Sequence, residues 1–237
     1  LSRKVLTEFV KAGAPPEILT EAHPHVGTFR LVTMVMSIRE TIEALGGEYR
    51  FGTRVDDFEI ADGQLTGLHL STSELLPARH VVLAVGHSAR DSFERLHQRG
   101  VYLEAKPFAI GVRIEHPQGW IDRARYGDSA GHPVLGPAAY SLAHKASNGR
   151  SVYSSCMCPG GRVVAATSEV GRVVTNGMSQ YSRAEFNANS GLVVDISPER
   201  DYPGGPLAGM ELQRRLEAQA FTAGGSNYHA PGQKVGD

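Results

Sequence analysis

The sequence predicts an α/β first half followed by a mainly β second half, and three observations carry that reading. His80-Val81-Val82-Leu83-Ala84-Val85 is an unalternated apolar run ending at Gly86, as suits a parallel strand covered on both faces. Leu31, Val35, Ile38, Ile42 and Leu45 recur at helical spacing and trace one apolar stripe. Phe108, Ile110, Val112 and Ile114 alternate with Ala109, Gly111, Arg113 and Glu115, the period-two signature of a sheet with one wetter face.

The elements follow in order. Residues 3–12 read as a short helix closed by Ala14-Pro15-Pro16. Thr28 is placed to cap a second helix, whose stripe should pack on a sheet and which ends at Gly46-Gly47. A short strand is expected over Glu48–Phe51. A hairpin follows, with strands 55–60 and 64–70 around Ala61-Asp62-Gly63, because Asp-Gly supports the positive φ angles of a tight turn. The buried strand 80–85 then turns at Gly86 into a helix. Ser88 and Asp91 have the spacing of a capping pair, Ala89, Phe93 and Leu96 form its apolar face, and Gly100 closes it. Beyond residue 104, strands are expected over 108–115, 151–157, 162–167, 171–175 and 192–196, separated by Pro159-Gly160-Gly161, Asn176-Gly177 and Ser197-Pro198. A single late helix spans 208–221, with Leu212, Leu216 and Ala220 on one side. The change of character places a domain boundary at 103/104.

Composition excludes several function classes. The chain has 24 basic and 25 acidic residues and no basic run, so neither a nucleic-acid partner nor a polybasic membrane contact is expected. No apolar stretch approaches the ~18 residues of a membrane span. The 27 glycines and 13 prolines favour frequent turns. Cys156 and Cys158 would lie about 6.6 Å apart on one strand face, near the outer limit for a disulfide. Free thiols in a reducing, cytoplasmic setting are the expectation. A zinc site would need two further ligands, so no metal is expected.

A glycine-rich pyrophosphate turn, G-x-G-x-x-G between a strand and a helix, is absent from the sequence. Gly160-Gly161, Gly204-Gly205 and Gly224-Gly225 lack that context. The helix, hairpin, buried strand and glycine turn over Arg39–Ser88 instead resemble the later part of the FAD domain in the flavoprotein superfamily typified by glutathione reductase. Gly52-Thr53-Arg54-Val55 matches its G-x-x-V segment. Ala84-Val85-Gly86 matches its A-T-G strand end, except that Val85 replaces Thr.

A more specific resemblance rests on longer strings. They are Pro24-His25-Val26-Gly27-Thr28, residues 81–91 (VVLAVGHSARD), residues 106–118 (KPFAIGVRIEHPQ), Cys156-Met157-Cys158-Pro159-Gly160-Gly161 and Asn187-Ala188-Asn189-Ser190. These resemble a family of bacterial FAD-dependent dehydrogenases, a group of NAD(P)/FAD-dependent oxidoreductases. The resemblance implies a partial, Rossmann-like FAD domain over 1–103 and a β-rich inserted substrate or cap domain over 104–237. It also implies a pyrophosphate turn before Leu1 and a last flavin-contacting stretch beyond Asp237. On that reading the chain is an internal piece, inactive alone and a weak FAD binder.

The resemblance assigns Arg54, Val55, Ala84, Val85, Gly86 and His87 to the cofactor side, with FAD as cofactor and NAD(P)H as a candidate electron partner. His87 precedes a predicted helix start, a position suited to a neutral hydrogen-bonding imidazole. Arg113, with Glu115 on the wetter strand face, serves either as solvated decoration or as the lining of a cleft. Asn187 and Asn189 read as amide-rich turn positions able to hydrogen-bond a substrate. Arg113, Asn187 and Asn189 are therefore the substrate candidates, for an unidentified small molecule. The sequence leaves oligomeric state open.

Three functions compete. The first is flavin-mediated hydride transfer. The second is a flavin-associated module that recognises protein or RNA. The third is thiol–disulfide exchange by Cys156 and Cys158, which are the only catalytic candidates and lack a neighbouring Lys or His to lower their pKa.

Overall fold

The computed structural model describes residues 2–236. In chain order its elements are α1 (Ser2–Lys11), α2 (Thr28–Ala44), β1 (Val55–Ala61), β2 (Gln64–Leu70), β3 (Leu75–Pro77), α3 (Arg90–Gln98), β4 (Phe108–Pro117) and α4 (Gln118–Tyr126). They continue as β5 (Ala143–Lys145), β6 (Ser151–Cys158), β7 (Gly161–Ala166), β8 (Val174–Ser179), β9 (Asn187–Ile196), α5 (Pro198–Asp201) and α6 (Ala208–Ala223). The chain forms two compact units that interleave along the sequence. One comprises Leu1–Tyr49, Ala109–Ala165 and Thr175–Asp195, the other Arg50–Phe108, Ala166–Val174 and Ile196–Asp237.

In the first unit, Pro15 and Pro16 end the α1 region and start a short 3₁₀ turn over Pro16–Leu19. Proline fits that start because the first amide of a helix has no internal partner. The turn delivers Ile18, 1% exposed, into a core with Ala12, Ala14 and Met34, against which Phe9, Val10 and Ile38 pack. Burying a side chain such as Ile18 contributes about 1.5–3 kcal/mol.

The α2 stripe departs from expectation. Met34 and Ile38 face this core, while Leu31, Val35, Ile42 and Leu45 remain exposed. Amphipathic spacing specifies a face, but a face is buried only where a partner layer exists. The unit's main sheet has strand order β4-β9-β6-β5, with β9 and β6 antiparallel. β7 and β8 form a separate two-stranded ladder.

In the second unit, β1-β2-β3 is an antiparallel sheet. Asp62 (φ 51°) and Gly63 (φ 74°) make the two-residue hairpin turn, as Asp-Gly predicts. Phe58, Leu68 and Leu70 pack with Leu96 of α3. The Arg99 guanidinium holds the Asp57 carboxylate with two hydrogen bonds. That partner lowers the Asp57 pKa to about 2.

Residues 80–85 form no strand. Val82 is 91% exposed, and Val81, Leu83 and Val85 are also exposed. An apolar run becomes a strand only by pairing its amides and carbonyls with a neighbour, and this run pairs with no strand among the described residues. Glu48–Phe51 likewise forms no strand. Ala89, not Ser88, precedes α3, without a side-chain cap; Ser88 instead hydrogen-bonds Ser168 at 3.0 Å.

Arg90 is the buried centre of this unit, 1% exposed. It binds Glu217 at 2.6 and 3.0 Å and Glu169 at 2.5 Å. Arg214 extends the network to Glu169 at 3.1 Å, Glu94 at 2.5 Å and Glu211 at 2.7 Å. Hydrogen bonds from Arg214, then from Arg90, depress the Glu169 pKa to about 2. A buried guanidinium demands such compensation. Helices α4 and α5, absent from the sequence reading, are short.

Candidate functional site

The substrate-side and thiol candidates meet in the first unit. Arg113 on β4 donates through Nη1 to Asn189 Oδ1 on the neighbouring β9, and to the Cys156 carbonyl at 3.3 Å. Asn189 is fully buried and pairs in register with Cys158 on β6. Gly177 of β8 completes the arrangement. A side chain there would overlap the Arg113 guanidinium and the Asn189 amide, so the glycine is required by close approach.

Several residues differ from their sequence assignments. Asn187 and Asn189 belong to β9 rather than to turns, and Asn176-Gly177 lies within β8. Asn187 is half-buried and makes no side-chain hydrogen bond among the described residues, so the structure does not join it to the pair. Cys156 has φ 49°, and the β6–β9 register shifts between Ser155 and Cys158. This bulge breaks the strand geometry assumed for Cys156 and Cys158.

Both thiols are free. Burial, followed by the neighbouring Cys156, raises the Cys158 pKa, while Arg113 works in the opposite direction. A thiol so placed is a poor nucleophile at neutral pH. Among the described residues no group of three His, Cys, Asp or Glu could hold a metal ion.

Two residues beside Arg113 were not singled out by sequence reasoning. Burial raises the Tyr140 pKa, while Ser190 and Arg113 work in the opposite direction. His116 stacks against Tyr140 with ring centroids 5.6 Å apart. Burial lowers the His116 pKa, and its Nε2 is buried without a partner. Nothing in their local sequence marks them; the β4 register and the loop before β5 bring them together.

A cleft of about 330 Å³ opens in the same unit, lined by His25, Thr28, Cys158, Gly177 and Arg183 among others. Ligand pockets start at about this size.

The residues assigned to the cofactor side lie in the second unit. The Arg54 guanidinium is tied to Asp56 at 2.6 Å, and its amide donates to Ser71 Oγ at 3.0 Å. Val55 opens β1 opposite Leu70. Ala84, Val85, Gly86 and His87 lie on an exposed loop, and nothing comes within 4 Å of a Cβ built on Gly86. Among the described residues these groups form an open surface rather than a cradle.

The sequence pattern of the family described as "FAD-dependent protein, C-terminal domain-like" matches residues 107–237, more than half of the chain. The chain belongs to this family. This FAD-dependent family member is 50% identical over 234 residues to an uncharacterized protein of Clostridium beijerinckii. The alignment covers 98% of the chain and 44% of that relative, so the chain spans less than half of the relative's length. The family match includes Arg113, Cys156, Cys158, Asn187 and Asn189. It excludes Arg54, Val55 and Ala84–His87. No helix among the described residues is long and apolar enough to cross a membrane.

Proposed function

We propose that the protein containing this chain is an FAD-dependent oxidoreductase of the glutathione-reductase type, and that the first unit supplies its substrate side. The carrying observation is that the FAD-dependent family match covers β4, β6, β8 and β9, the strands that assemble Arg113, Asn189 and Cys158. In such an enzyme the flavin supplies hydride chemistry and the protein supplies binding, orientation and electrostatics.

Arg113 suits an orienting role. Its guanidinium is held by two neutral acceptors and has no carboxylate partner among the described residues, so its charge remains available to a ligand. Tyr140 lies within electrostatic reach of it. Ala84–His87 are proposed to contact FAD only when the rest of the longer protein surrounds them, within the split domain arrangement of 1–103 and 104–237. NAD(P)H is the proposed electron partner, and a reducing cytoplasm the proposed setting.

Full-length wild type and Arg113→Ala, each loaded with FAD, test the substrate-side assignment. Anaerobic bleaching of the flavin by NADH, NADPH and small organic reductants is followed in both. The expected result is equal FAD content with slower bleaching by the effective organic reductant in the variant. Equal bleaching rates would overturn the assignment. Thiol–disulfide exchange is disfavoured by the raised Cys158 pKa; in full-length protein with both cysteines changed to serine, unchanged turnover is expected.

A further inference from the structure

We propose that the cleft at the start of α2 binds a compact oxyanion, a carboxylate or phosphate carried by a small-molecule ligand. The inference deepens the substrate-side reading of the first unit by giving the ligand's chemistry. It rests on charge, on unpartnered donors and on shape.

No acidic residue lines the cleft, but Arg183 does. Arg183 makes no ion pair among the described residues, and its Nε is buried without a hydrogen-bond partner. The nearest acid in sequence, Glu185, is occupied by Arg162 at 2.7 Å and by Gln180 at 3.3 Å. A buried guanidinium nitrogen without an acceptor is costly unless something supplies one.

The α2 start brings Gly27, Thr28 and Leu31 to the same cleft. The Gly27 position before the helix offers no side-chain cap, and the Thr28 hydroxyl is spent on the Ser179 carbonyl at 3.2 Å. The amides of Thr28, Phe29 and Arg30 therefore have no partner among the described residues. Free amides and the positive end of the helix dipole favour an anion. Gly27 is pinned at φ 84°, where a Cβ would meet the Tyr181 backbone nitrogen at 2.6 Å. The helix start is thereby fixed against residues 179–181.

A separate observation comes from behind the cleft. Asn189 is fully buried, yet its Nδ2 has no partner. It lies beside Cys158 and Gly177, both of which line the cleft. Its other amide atom is engaged by Arg113, a second guanidinium without a carboxylate partner. Arg30 lies 3.7 Å above the Tyr181 ring, on which the cleft-lining His25 also stacks. A carboxylate or phosphate can accept from a guanidinium edge and helix amides at once.

The test uses full-length protein at constant ionic strength, titrated with acetate, succinate or inorganic phosphate against a chloride control. Binding is read by calorimetry, and by alkylation of Cys158 with neutral iodoacetamide followed by peptide mass spectrometry. Saturable binding with at least threefold slower Cys158 labelling supports the proposal. So does a tenfold or greater loss of affinity in Arg183→Ala, with Lys145→Ala unchanged. Response to acetate or succinate alone assigns a carboxylate ligand; response to phosphate alone assigns a phosphorylated one. Unsaturable binding, or labelling unaffected by every anion in the wild-type protein, overturns it even if Arg183→Ala fails to fold. The flavin spectrum of the same samples reports separately on the FAD-dependent reading.

Discussion

Arg113 and Asn189 hydrogen-bond across adjacent strands β4 and β9, directly over Gly177. The pair places a charged group and a buried amide where a single methyl group on β8 would displace both. Gly177→Ala is therefore expected to destabilise the protein by about 1–3 kcal/mol, the usual cost of overpacking. Urea unfolding monitored by circular dichroism checks the magnitude, and an unchanged midpoint would remove the close-approach argument.

The buried Arg90 network gives a larger expected effect. Removing Arg90 leaves Glu217 and Glu169 without their shared guanidinium, so Arg90→Ala should cost about 3–5 kcal/mol. Arg90→Lys should recover only part of this, because an ammonium cannot repeat the two-pronged contact with Glu217. Thermal unfolding of the three proteins orders them as wild type, Lys, Ala.

Acid sensitivity follows from Asp57 and Glu169. Each folded-state pKa is lowered to about 2, from ordinary values of 3.8 and 4.5. Their stabilisation is therefore fully present above about pH 4.5, and it is lost as pH falls toward 2. Each contributes on the order of 2 kcal/mol before solvent screening. The unfolding midpoint should fall across that window, and Asp57→Asn should flatten part of the decline.

The two thiols should differ in reactivity. Cys156 is exposed, whereas Cys158 is half-buried with a raised pKa. Iodoacetamide at neutral pH should modify Cys156 first, with Cys158 catching up as pH rises. Peptide mass spectrometry of timed samples distinguishes this order from equal labelling.

Much of this fold is legible in the sequence where local chemistry decides it. Asp62-Gly63 specifies its turn alone, and the run from Phe108 to Glu115 marks β4, although Val112 is exposed and Arg113 half-buried, against the expected alternation. The misreadings occur where a distant partner decides. Val82 reads as a strand core residue, but without a neighbouring ladder it is surface. Arg90 carries no signal of burial in the sequence, yet Glu217, far along the chain, makes it a buried ion pair. Arg113 and Asn189 were both visible as polar candidates, but only the β4–β9 pairing brings them together. Tyr140 and His116 carried no signal because a loop and a register, not a motif, place them.

The central claim is that this chain works within an FAD-dependent protein. Its most direct test is the visible absorbance of purified full-length protein after saturation with FAD and removal of the excess. One retained flavin per full-length chain is expected. A colourless full-length protein would contradict it.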